Sequence, residues 1–150
     1  MSPTFHQATS SDIDTLIPMM REYYAFDHLV FDESHARAAT QELIDSPHLG
    51  MMYLITESTA NVGYAAMVFV HSLEFHGRAA FLDEFYLREA TRGRGVGRKA
   101  LEFLFDECRR LKINALRLEV THTNHVAQGV YEKLGFVRHE RNIMTRVFEC

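Results

Sequence analysis

The stretch Arg92-Gly93-Arg94-Gly95-Val96-Gly97-Arg98 stands between two runs of different character. Before it, Arg78 to Leu87 reads as a strand; after it, apolar residues at 96, 100, 104, 108 and 111 make the stripe of one amphipathic helix over Val96 to Leu111. A strand, a glycine turn and a helix start together form an anion site, because backbone N–H groups point outward there and the helix dipole adds about half a positive charge. The arginines add more, although three glycines would equally serve a plain loop and cap. A Walker A loop ends in Gly-Lys-Ser/Thr, whereas Gly97 is followed by Arg98-Lys99-Ala100, so that reading fails. Gly95-Val96-Gly97-Arg98-Lys99-Ala100 does match the dinucleotide pattern, with Glu119 at a later strand end. It fits only in part: Leu87 and Gly95 are eight residues apart, and too few strand-helix units follow.

Outward from the loop, the chain divides into short elements. Phe5 to Ala8 reads as a strand, and Thr9-Ser10-Ser11-Asp12 can cap a helix with apolar positions 13, 16, 17, 20 and 24. Pro18 inside it predicts a kink or a late start. A second helix is expected from Glu33 to Asp45, stopped by Ser46-Pro47. Met51 to Glu57, Val62 to His71 and Arg78 to Leu87 read as three strands whose short turns make them antiparallel neighbours. Leu116 to Val120 is a strand and Val126 to Leu134 a helix ended by Gly135; Val137 to Glu140 and Ile143 to Phe148 read as a closing hairpin. The sum is an α/β (α+β) sandwich, a mixed and mostly antiparallel sheet of roughly seven strands with about four helices on both faces.

Composition narrows the class. The 150 residues carry 16 Lys+Arg against 20 Asp+Glu, a formal charge of −4, with 47% hydrophobic and 24% charged residues. This is ordinary globular usage, against disorder and low complexity, and at this length folding buries roughly 68 to 70% of the unfolded surface. We expect one domain over residues 1–150. Mild acidity offers no field for nucleic acid or an anionic membrane. Two cysteines, Cys108 and Cys150, are no disulfide framework, and the opening has neither a basic region nor an apolar run, so a reducing cytoplasm fits.

Arg92-x-x-Gly95-x-Gly97 resembles the acetyl-CoA pyrophosphate loop of the GNAT acetyltransferase superfamily. Leu82-Asp83-Glu84-Phe85-Tyr86-Leu87 resembles that family's central strand, and Asn124-His125-Val126-Ala127-Gln128-Gly129-Val130-Tyr131-Glu132-Lys133-Leu134-Gly135-Phe136 its second motif. The acidic pair before two aromatic residues is looser evidence for the small-amine branch, which includes diamine acetyltransferases. The resemblance implies acetyl-CoA as cofactor, with the Arg92, Gly93, Arg94, Gly95, Val96, Gly97 and Arg98 loop on its pyrophosphate. It also implies pantetheine held by backbone groups of Phe85, Tyr86 and Leu87, and a further contact from Asn124, which would otherwise simply cap a helix.

Acetyl transfer from a thioester needs a neutral amine, a polarised carbonyl and a proton for the departing thiolate. The resemblance makes Tyr131 the general acid, and a phenol near pKa ~10 facing a thiol near ~8.5 suits that transfer. An alkyl amine is neutral about once in two thousand molecules at pH 7, so a carboxylate or a carboxylate-bound water helps. Strand alternation sends Asp83 to the side of Phe81 and Phe85 and Glu84 to that of Leu82 and Tyr86. The longer Glu84 is slightly favoured. The resemblance further implies that Tyr24, Phe26, His28, Phe31 and Asp32, expected between the first two helices, would line the acceptor pocket with Glu84. His122 and His125 are the nearest histidine pair, and no cysteine or carboxylate pattern completes a tetrahedral set, so no metal is expected.

The leading reading is an N-acetyltransferase acting on the primary amine of a small molecule, by direct attack in a ternary complex. Peptide or protein N-acetylation is the runner-up, and a non-catalytic acyl-CoA sensor is the reading from another class. A homodimer is left open.

Overall fold

The structure is a computed structural model that describes residues 2–149; Met1 and Cys150 lie outside it. Residues up to Glu119 form one compact unit and residues from Val120 a second.

In the first unit, strand β1 (Pro3–Gln7) leads to a capping box in which the Thr9 N–H donates to Asp12 Oδ2 at 2.8 Å. Helix α1 (Ile13–Phe26) follows; Pro18 lies within it, so of the two expected outcomes, a kink or a late start, the late start does not occur. Helix α2 (Glu33–Asp45) opens on Asp32, whose carboxylate accepts from the His35 N–H. Strands β2 (Gly50–Glu57), β3 (Ala60–Ser72) and β4 (Gly77–Leu87) form the antiparallel meander that the short turns predict. Helix α3 (Val96–Arg110) carries the chain to a short strand, β5 (Leu116–Leu118), parallel to β4. The sheet order is β1-β2-β3-β4-β5.

Alternation along the strands gives the sheet two apolar faces. Ile13, Leu16, Ile17, Met19 and Met20 of α1 pack with Met52, Leu54, Tyr64, Ala66 and Tyr86, and α2 adds Ala36, Leu43 and Ile44. On the opposite face Val96 and Ala100 of α3 pack with Ile55, Val62, Phe5, Phe85 and Leu87. The Phe5 ring stacks on Phe103 with centroids 4.9 Å apart.

The second unit contains α4 (His125–Lys133), and Gly135 just past it takes φ +96° as a helix-ending glycine should. Among the described residues the sheet has five strands, not the roughly seven expected. Val137 to Glu140 and Ile143 to Phe148 are irregular, and Val137, Ile143, Met144, Val147 and Phe148 are exposed. Alternating apolar residues make a strand only where a neighbour completes the hydrogen-bond ladder, and among the described residues the sheet ends at β5 without taking these segments in as strands. No helix of the described residues is long and apolar enough to cross a membrane.

Candidate active site

The glycine loop is built as an anion cradle. A short 3-10 turn, Glu89–Thr91, takes the chain off β4, and Gly93 and Gly95 then adopt φ +75° and +81°, where only glycine is unstrained. Gly95 is the N-cap of α3 and brings no capping side chain, so the first-turn N–H groups of Val96, Gly97 and Arg98 face outward without a side-chain acceptor. The arginines are differently employed. Arg92 Nε donates to the Leu87 carbonyl at 2.8 Å, with its guanidinium 4.6 Å from the Phe26 ring centroid and 5.5 Å from that of Tyr86. Arg94 donates to Glu57 Oε2 at 2.6 Å and Arg98 to Glu102 at 2.9 Å. The cradle is therefore backbone, and its arginines brace the loop against β4, β2 and α3.

Beside it, β4 leaves one edge open. β5 pairs with only three of its residues, Ala80, Phe81 and Leu82, whereas β3 follows it along its whole length. Past Leu82 that edge has no strand partner among the described residues, so an extended chain bearing amides could add there as a further strand. The three expected backbone contributors, Phe85, Tyr86 and Leu87, lie on this segment.

A bulge redirects the acidic pair. Glu84 pairs with Ala66, the next pair is Leu82 with Met67, and Asp83 between them has no partner. The alternation expected from sequence is thus broken: Glu84 keeps the α1 face of Tyr86, while Leu82 goes with Met67, which the Cys108 Sγ of α3 approaches at 3.7 Å. Asp83 is exposed, and burial of its inner side still raises its pKa. Glu84 is half-buried and accepts from the Tyr24 hydroxyl at 2.6 Å and the Tyr64 hydroxyl at 2.7 Å, one on each oxygen. Burial raises its pKa most; the two phenol bonds pull it down and the Asp83 charge pushes it up again.

Of the residues expected between the first two helices, Tyr24 and Phe26 belong to the last turn of α1 instead, and the set is brought only partly to this carboxylate. The Tyr24 ring meets Phe31 edge-on at 5.4 Å, and the Arg21 guanidinium lies 5.2 Å from the Phe31 centroid. Phe26 lies under Arg92 instead, at the glycine loop. His28 is exposed with φ +56°, and Asp32 is occupied as the α2 cap, its pKa lowered first by the His35 N–H. Two features escaped the sequence reading. Tyr64, fully buried, is the second donor to Glu84; a tyrosine amid Gly63, Ala65 and Ala66 in a core strand was the available signal, because a buried hydroxyl needs a partner. Glu22 of α1 accepts from Tyr86 at 3.1 Å and from both Nε and Nη2 of Arg88, joining α1 to the end of β4.

In the second unit Asn124 caps α4, its Oδ1 accepting from the Ala127 N–H at 3.2 Å. Tyr131 meets Phe136 edge-on at 5.6 Å, and burial raises its pKa. Gln128, buried, donates to the carbonyls of Thr121 and His122 and so holds the loop before the helix. Among the described residues no cluster of three His, Cys, Asp or Glu is placed to hold a metal ion.

The profile of the Acetyltransferase (GNAT) family matches residues 17–136. A D-amino-acid N-acetyltransferase of Saccharomyces cerevisiae, HPA3, is 28% identical over 121 residues, covering 79% of this chain and 74% of the relative. A thialysine N-epsilon-acetyltransferase of Mus musculus is 25% identical over 147 residues, covering 89% and 84%. An integron cassette protein from the mobile metagenome of Cole Harbour Salt Marsh superposes with TM-score 0.86 at 29% identity, over 97% of this chain and 91% of that one. An acetyltransferase of Clostridium acetobutylicum solved with acetyl-CoA shares the fold, with TM-score 0.81 at 16% identity and 96% of each chain covered. The chain belongs to the GNAT acetyltransferase family. It is an N-acetyltransferase, and acetyl-CoA is the cofactor of that class.

Proposed function

We propose that this enzyme acetylates the primary amine of a small molecule by direct attack on acetyl-CoA in a ternary complex, with residues 1–150 working as one catalytic domain. The observation that carries the choice of acceptor is Glu84, a half-buried carboxylate that two tyrosines serve and the Asp83 charge opposes. Such a group attracts an ammonium and can then help remove its proton, while Tyr24 and Phe31 offer aromatic surface to the amine's stem. The two curated relatives, named for D-amino acids and thialysine, act on small amines and support the same class.

The residues present fit the cofactor. Outward N–H groups of Val96, Gly97 and Arg98, with Gly93 and Gly95 shaping the turn, would hold the pyrophosphate, and Arg92, Arg94 and Arg98 supply positive charge around it. The open edge at Phe85, Tyr86 and Leu87 would hold the amide-bearing arm, and Asn124 would add a contact. Bound acetyl-CoA supplies the activated acyl group. A β4 backbone N–H would face the thioester carbonyl oxygen, Glu84 would take the amine's proton directly or through water with Asp83 as the other candidate, and Tyr131 would supply the proton that the leaving thiol needs. Burial keeps the Tyr131 phenol protonated, the form that an acid requires. Tyr24 and Phe31 make the acceptor side, His28 and Asp32 contribute through the fold of the segment, and Phe26 lies beside the cofactor loop under Arg92. The enzyme works without a metal or membrane, in the cytoplasm.

Thiol release from acetyl-CoA with a panel of short diamines, lysine analogues, D- and L-amino acids and peptides tests the reading. Turnover confined to small amines is the expected result. Preference for peptides overturns the acceptor class, and tight acetyl-CoA binding without turnover on any acceptor overturns catalysis.

A further inference from the structure

We propose that Tyr24 and Tyr64 are positioning residues of the acceptor site: their hydroxyls hold the Glu84 carboxylate ionised and aimed, and Tyr24 ties that carboxylate to the aromatic segment after α1. The inference rests on the reading of Glu84 as the group that meets the acceptor amine.

Three elements converge on this point. Tyr24 comes from α1, Tyr64 from β3 and Glu84 from β4, with hydroxyl-to-carboxylate distances of 2.6 and 2.7 Å. Each oxygen accepts one phenol. An ionised carboxylate offers about four acceptor positions, so roughly two remain for an ammonium or a water. The other titratable groups at the site are Tyr23 of α1, near Tyr24, Tyr64 and Tyr86, together with Tyr86 and Asp83 of β4. Among the described residues no arginine or lysine pairs with Glu84, and its charged neighbour, Asp83, is of the same sign. Burial and the Asp83 charge favour the protonated form of this carboxyl, and the hydrogen bonds to its charged form oppose them. Burial pushes both phenols above their ordinary range, so the donors persist over any working pH.

Tyr24 has a second contact. Its ring lies against Phe31, and Arg21 lies over Phe31 while pairing with Glu33 at the start of α2. A shift of the Phe31 segment therefore reaches Glu84 through one side chain.

The test uses Tyr24→Phe, Tyr64→Phe, Glu84→Gln and the Tyr24→Phe/Glu84→Gln double variant. The Glu84 carboxyl is titrated by carbon-13 NMR in the free protein, its signal being the one lost in Glu84→Gln, and kcat/KM is followed against pH. Removing a donor to the ionised form raises the pKa, so in each Phe variant the midpoint should rise by about one pH unit, with the acid limb of kcat/KM moving up equally. In the double variant, Tyr24→Phe should change nothing beyond Glu84→Gln. If Glu84→Gln abolishes the acid limb while both Phe variants leave midpoint and limb in place, the positioning role is overturned and the reading of Glu84 stands. If the profile ignores Glu84→Gln, that reading falls and the inference with it. Should Tyr64→Phe fail to fold, the half-buried Tyr24→Phe decides alone.

Discussion

Glu107 on α3 and Glu84 on β4 sit on opposite faces of one sheet, and each accepts a hydrogen bond from a tyrosine that the sheet holds in place. Tyr53 donates to Glu107 at 2.7 Å as Tyr24 and Tyr64 donate to Glu84. Glu107, however, also takes two bonds from Arg110, at 2.8 and 2.7 Å, and these pull its pKa below the usual range. Glu22 repeats that arrangement, with Tyr86 and Arg88 as its partners. Glu84 has two phenols and no guanidinium, and its pKa moves the other way. A half-buried acid left without its cation costs stability unless something pays for it, which is why such groups concentrate at functional sites. The compensated carboxylates fasten helices to the sheet; the uncompensated one is, on the proposed reading, where a positive ligand would bind.

The comparison holds only if the faces are otherwise alike, and the largest expected effect checks that. Leu16 on the α1 face and Leu101 on α3 are both fully buried. Truncating either to Ala should cost about 3 kcal/mol by urea denaturation, with no consistent advantage to one face. A second effect, of similar size in free energy, separates the carboxylates: Glu84→Gln should lower kcat/KM by ~10²-fold near neutral pH, and Glu107→Gln should leave it within about twofold. Equal losses of activity would break the contrast.

Stability against pH gives a smaller effect with opposite signs. Glu107 has a depressed folded pKa, so its contribution is present above the unfolded value and lost as pH falls through the folded one. Glu84 has a raised folded pKa, so its folded state loses ground as pH rises from the unfolded value through the folded one. Relative to the unsubstituted protein, Glu84→Gln should therefore fare better at pH 8 than at pH 4, and Glu107→Gln worse, by about 1 kcal/mol or less in thermal melts. Matching trends would overturn the assigned directions. The smallest change is in selectivity. Phe31→Ala should reorder acceptor preference while acetyl-CoA affinity measured by calorimetry stays within about twofold; an unaltered ranking removes the segment from the acceptor site.

Whatever local chemistry decides was legible in the chain. The Thr9 and Asn124 caps, the glycine past α4, the α3 stripe and the two motifs at Arg92 and Asn124 all act over a few residues, so they could be read locally, whereas Asp32, expected in the acceptor pocket, proved to be the α2 cap. The bounds of α2 agree residue for residue. Tertiary pairing decided the rest. The bulge at Asp83 depends on the register of β3 against β4, which no local pattern contains, and it moved Leu82 to the other face. Tyr64 meets Glu84 across 20 residues of sequence and Tyr24 across 60, so their convergence exists only once α1 is laid on the sheet. The final hairpin failed for the complementary reason, since alternation supplies a face but only a neighbouring edge supplies hydrogen bonds. From the sequence alone, resemblance over two motifs pointed to the family and its cofactor, and the turn of the glycine loop was legible because glycine conformation and helix starts are local; which acid stands without a cation was decided by packing, because charge compensation is settled by whatever the fold brings near.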